Sequence, residues 1–136
     1  MPADPGLRLA DGGDLRDLVD AGAAAALVAH LERAQPHAHS DVGSALLDAA
    51  RALPGPSTAY SPSFGGLRYV LLLRGRTPVA VAFDMQSVAL PEPGPGVDGA
   101  RPWEPVPGWS VVELWRPGVP APDLAALVRR AWEAAA

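Results

Sequence analysis

Apolar residues in the first third of the chain recur at helical spacing. Leu15, Leu18 and Val19 form one group, and Leu27, Val28 and Leu31 a second. Steps of three and four place such residues on one face of an α-helix. Asp14 stands ahead of the first group as an N-cap, with Asp17 in the position of a capping-box acid. Gly22 separates the groups as a break point, and Pro36 ends the pattern because its ring cannot continue a helix. A second helix opens at Ser40 or Asp41 and carries Val42, Leu46, Ala49, Ala50 and Leu53 before Pro54-Gly55-Pro56 stops it. The two segments predict an N-terminal helical hairpin.

From Leu67 the pattern becomes strand-like. Leu67–Arg74 and Val79–Leu90 flank Gly75-Arg76-Thr77-Pro78, a short stretch of turn formers, which predicts a β-hairpin. A three-residue loop sets Leu67, Tyr69, Leu71 and Leu73 on one face with Val79, Val81, Phe83 and Met85. Val70, Leu72, Ala80 and Ala82 then share the other face, with Arg68 opposite Asp84. A two-residue loop mixes the sets. The first register is preferred because it sorts side chains by size and pairs two charges. Ser110–Arg116 reads as a third strand, and a final helix begins near Pro122-Asp123 with the stripe Leu124, Leu127, Val128 and Ala131. The fold class expected is α+β: a helical hairpin, an antiparallel sheet of at least three strands, and a C-terminal helix packed on the sheet. Residues 1–136 read as a single domain.

Two stretches lack periodicity. Residues 1–13 read as a flexible tail, broken by Pro2, Pro5, Gly6, Gly12 and Gly13. Residues 91–108 hold six Pro and four Gly, a composition that argues against helix or strand. Trp103 sits in that Pro/Gly-rich loop and is expected to be exposed or to cover a pocket, whereas Trp115 and Trp132 are expected in the core.

Composition narrows the field. Leu, Val and Phe supply 32 of 136 residues, about a quarter and enough for a small core. The absence of Cys removes disulfides, thiolate metal sites and a Cys nucleophile. A net charge of −4 argues against nucleic acid, whose phosphates require a basic face. No apolar run has the length of a membrane span, and no signal peptide is visible, so the expected location is the cytoplasm. The chain contains no Lys, Asn or Ile. Their codons are rich in A and T, which points to a bacterial genome of high GC content.

Candidate chemistry is sparse. His37-Ala38-His39-Ser40-Asp41 has the look of a metal-ligand string, with His30 nearby. With three His in all and no Cys, a polar linker followed by a helix cap explains it better, and no metal is expected. Asp84, an acid inside an apolar strand, is either a cross-strand partner of Arg68 or an acid–base group in a pocket. Gln86 extends the same polar strip. Tyr60 lies in a Ser/Gly-rich connection, Ser57–Gly66, that carries neither a nucleophile elbow nor a phosphate loop. No cofactor motif is present.

A small sheet apolar on both faces, with one helical layer, leaves a face to cover. That predicts a homodimer or a protein partner. The function expected is a non-catalytic binding or interaction module of adaptor, accessory or immunity type, acting through an apolar sheet face. Its binding residues are Tyr60, Arg68, Asp84, Gln86 and Trp103. The alternative is a small cofactor-free isomerase, cyclase or hydrolase. It would hold a small-molecule ligand between helices and sheet under the 91–108 loop, with Asp84, His37 or His39 as acid or base.

Overall fold

The computed structural model describes residues 6–20, 22, 24–91, 100–115, 117–118 and 122–135. In chain order the elements are β1 (Leu7–Asp11), α1 (Leu15–Leu18), α2 (Ala25–Ala34), α3 (Ser40–Arg51), β2 (Ser57–Ser61), β3 (Val70–Arg74), β4 (Thr77–Ala82), β5 (Ser87–Pro91), β6 (Arg101–Pro102), β7 (Trp109–Glu113) and α4 (Leu124–Ala134). The fold is α+β. Its seven strands form one sheet in the order β1-β2-β3-β4-β5-β7-β6, antiparallel except for the edge pair β1 and β2.

Both faces of the sheet are covered from within the chain. On one face, α3 and α4 pack Val42, Leu46, Leu127, Val128 and Trp132 against Val70, Leu72, Ala80, Ala82 and Val88. On the other, α1 and α2 lay Leu15, Val19, Leu27, Val28 and Leu31 over Tyr60, Tyr69, Leu71, Leu73 and Val81, with Trp103 and Val106 completing the layer. The helical pair read from the sequence is therefore present, but α2 and α3 straddle the sheet. Periodicity identifies which face of each helix is apolar and is silent on which side of the sheet it meets. The second face, whose exposure motivated the expectation of a partner, is closed by the protein itself.

The linker between the two helices explains the crossing. Gln35 adopts a left-handed conformation (φ 44°) at the end of α2, and residues 36–39 then run across one end of the β3–β4 hairpin. The Tyr69 N–H donates to the Pro36 carbonyl, Ala38 to Leu67, and His39 to the Asp84 carbonyl. Those bonds satisfy backbone that would otherwise be stranded between two layers.

Several local readings are corrected. Residues 1–13 are not all tail: Leu7–Asp11 form the edge strand β1, while residues 1–5 lie outside the described residues. Ser57–Ser61 is a sheet strand rather than a connection. The run from Val79 to Leu90 is two strands, because Asp84 turns the chain between them: its Oδ1 accepts from the N–H groups of Gln86 and Ser87. In the Pro/Gly-rich loop, Arg101 and Pro102 pair with β7, and residues 92–99 lie outside the described residues. The two tryptophans exchange roles, with Trp103 7% exposed in the core and Trp115 46% exposed.

The register preferred from side-chain size holds through Val70↔Ala82, Leu71↔Val81 and Leu72↔Ala80. A bulge at Leu72/Leu73 then shifts the ladder to Leu73↔Pro78 and Arg74↔Thr77, closing on a two-residue turn. The extra residue sends Val79 to the α3/α4 face, opposite to its expected side.

Candidate functional site

Of the five candidate binding residues, the structure brings Tyr60 and Arg68 together. They line a cleft of about 470 Å³ between the α1/α2 layer and the sheet, with Leu15, Leu31, Tyr69 and Gln35. Tyr60 is on β2 and Tyr69 immediately precedes β3. Their side chains sit on the same sheet face because the β2–β3 ladder sets Tyr60 opposite Leu71. The rings are tilted against one another with centroids 6.2 Å apart.

The polar ends of these side chains have defined partners. The Tyr60 hydroxyl donates to the Gly13 carbonyl at 3.0 Å. Gly13 reaches that position through two successive left-handed glycines, Gly12 (φ 81°) and Gly13 (φ 84°), a conformation that other residues rarely adopt. Burial pushes both phenols above the ordinary tyrosine range, with Asp14 adding to the effect at Tyr60 and Tyr60 adding to it at Tyr69. The pair is neutral at physiological pH. Arg68 is half-buried and spends one guanidinium N–H, from Nη2 to Gln35 Oε1 at 3.1 Å. Its Nε is buried without an acceptor among the described residues.

Charges frame the cleft mouth. Arg16 clasps Glu32 through Nε and Nη2 at 2.9 and 2.8 Å, and this contact holds the Glu32 carboxyl below its usual range. Asp14 caps α1 by accepting from the Arg16 N–H at 3.0 Å.

The remaining candidates lie elsewhere. Asp84 does not pair with Arg68, because the β3–β4 ladder ends at Val70↔Ala82 and Asp84 serves as the turn cap. Gln86 follows in that turn, bonding Glu113 through its side chain and Leu114 through its carbonyl. His39, rather than Ser40 or Asp41, caps α3: its Nδ1 accepts from the Asp41 N–H at 3.2 Å. His37 is exposed in the linker, in a β-bridge to Arg68. Trp103 packs against His30, Phe83 and Trp109, and its neighbours Val106 and Pro107 line a different cleft, with Asp20 and Thr77. Among the described residues, no three His, Asp or Glu converge as metal ligands. No helix among them is long and apolar enough to cross a membrane.

Sequence reasoning missed Tyr69 and Gln35 as cleft residues. Tyr69 carried a usable signal, since it shares a strand face with Leu71 and Leu73 and is the one residue there with a hydroxyl to satisfy. Gln35 carried none; its position depends on the left-handed exit from α2.

A further accessible feature is the β1 edge. Leu9 is 57% exposed and Leu67 47%, and the two border a single groove of about 290 Å³ with Leu47 and Phe64. Comparison with family models, curated proteins and solved structures yields no match for this chain.

Proposed function

We propose that the protein is a non-catalytic interaction module that pairs with a second copy of itself through the β1 edge. The observation that carries this reading is the outward row of backbone groups on β1. Ser57 donates its N–H to the Gly6 carbonyl and Gly12 donates to Ser61. Alternation along a parallel ladder therefore directs Gly6, Arg8, Ala10 and Gly12 toward β2, and turns the N–H and C=O of Leu7, Leu9 and Asp11 outward.

Antiparallel pairing of two copies around Leu9 sets Leu9 beside Leu9 of the partner subunit, and Leu7 beside Asp11 of the partner subunit. Leu9, exposed in the monomer, then becomes a cross-strand apolar pair next to the Leu47/Phe64/Leu67 groove. An apolar edge strand left open invites pairing with another chain, and two-fold pairing closes it. The candidate acid–base groups favour a non-catalytic reading, since Asp84 and His39 each hold a cap.

Light scattering at low and high protein concentration tests the assembly, together with Leu9→Pro. That variant deletes an outward donor without removing a bond to β2. We expect a mass near twice 14.1 kDa for the wild type and a monomer of unchanged circular dichroism for Leu9→Pro. A wild type that stays monomeric at high concentration, or a variant that remains dimeric, overturns the reading.

A further inference from the structure

We propose that the cleft between α1/α2 and the Tyr60–Tyr69 pair binds a small zwitterion of the amino-acid type, its carboxylate on Arg68 and its ammonium toward Asp14. This inference is independent of pairing at β1.

The donor and acceptor inventory of the walls points to that chemistry. A guanidinium has five N–H groups, and among the described residues Arg68 directs one of them to an acceptor, Gln35. Nor does it meet a carboxylate there: Glu32, the acid on α2 that lines the cleft, is already clasped by Arg16. A half-buried guanidinium with spare, coplanar N–H groups is matched by a carboxylate held at two points.

The opposite chemistry is present in the same cleft. The Tyr60 hydroxyl spends its proton on Gly13, so its oxygen offers the cleft acceptor lone pairs. Asp14 uses Oδ1 as the α1 cap, and its Oδ2 has no hydrogen-bond partner among the described residues. Asp14 is exposed, and a ligand ammonium drawn to it takes the place of water as its donor. Between them, Leu15, Leu31 and the tyrosine rings give an apolar wall for a side chain.

Charge decides against phosphate esters. With Glu32 neutralised by Arg16, the charges left on the walls are Arg68 and Asp14, which cancel. A dianion gains one cation and meets a carboxylate, whereas a zwitterion meets an opposite charge at each end.

The experiment is calorimetric titration of the full chain with L-phenylalanine and L-leucine. Each is compared with its deaminated acid and its decarboxylated amine. We expect both amino acids to bind, and each analogue to bind about tenfold more weakly or worse, the loss of one charged contact. Arg68→Gln and Asp14→Ser should each weaken amino-acid binding about tenfold, and Asp14→Ser keeps a residue able to cap α1. Circular dichroism establishes that each variant is folded. Absence of heat and of amide chemical-shift change at about 10 mM ligand, in the weak-affinity range, overturns the proposal. So does an analogue that binds as tightly as its parent, or a folded Asp14→Ser that binds as the wild type does.

Discussion

The two faces of the sheet are built from the same strands and solved differently. The α3/α4 face is mostly aliphatic: Ala80, Ala82, Ala49 and Ala131 let the helices approach closely, and Trp132, with Phe64 at the margin, closes it. The α1/α2 face is aromatic and partly polar. It carries Tyr60, Tyr69 and Trp103, needs residues 103–106 to complete its cover, and keeps a cleft lined by the two tyrosines. Ala80 and Ala82 of β4 point to the α3/α4 face beside Val70 and Leu72, while Tyr69, Leu71 and Leu73 point to the other with Val81, so alternation gives one face small residues for close helix packing and the other the aromatic cleft.

Substitutions at matched core leucines sharpen the contrast most. Leu46 and Leu31 are both fully buried, on α3 and α2 respectively. Leu46→Ala should cost about 3–5 kcal/mol in urea denaturation, the upper part of the range for a cavity that cannot collapse. Leu31→Ala borders the cleft, where water and neighbouring side chains adjust, and should cost about 2–3 kcal/mol. Equal losses at both positions break the comparison.

Gly55 tests how rigid the aliphatic face is. A Cβ there would lie 2.7 and 2.8 Å from the Trp132 ring. The ring cannot swing aside easily, since its Nε1 donates to the Pro56 carbonyl at 3.2 Å and the Arg74 guanidinium stacks 3.6 Å from its centroid. Gly55→Ala should lower stability by about 1–3 kcal/mol and blue- or red-shift the tryptophan emission. A neutral result shows that this corner yields.

The smallest effect belongs to the aromatic face. Burial, with Arg33 as a secondary cause, holds the His30 imidazole below its ordinary pKa. The folded state thus favours neutral His30. Its contribution is complete above the unfolded value of 6.5 and is lost as pH falls through the depressed folded value. His30→Gln should flatten the fall in melting temperature between neutral and mildly acidic buffer. An unchanged pH profile removes His30 as its cause.

What the sequence revealed follows from which signals are local. Periodicity located α2, α3, β3 and α4, and side-chain size gave the central β3–β4 register. Signals that depend on distant chain went unread. Leu7 and Leu9 alternate correctly for a strand, yet five residues between glycines carry little weight without Ser57–Ser61 beside them. Asp84 looked like a charge inside one strand because a carboxylate capping its own turn and a carboxylate facing Arg68 have the same local sequence. Trp103 and Trp115 exchanged places because both flank turn formers, and only the β6–β7 pairing decides which ring swings inward. Of the candidate site, Tyr60 and Arg68 were legible as polar residues beside apolar strands. Their convergence with Tyr69 and Gln35 was set by the linker's passage over the hairpin end.

The parallel pairing of β1 with β2 has a consequence for how the chain assembles. Leu7 meets Ser57, 50 residues further on, whereas Val70 meets Ala82 and Val81 meets Ala89 within a dozen. During synthesis β1 leaves the ribosome first and waits longest for its template, while β3, β4 and β5 zip up through short loops. The edge strand thus docks late, onto a sheet already formed. By the same reasoning it is the first to peel away, so amide exchange in native conditions should begin at Leu7–Asp11 and reach the β3–β4 ladder last.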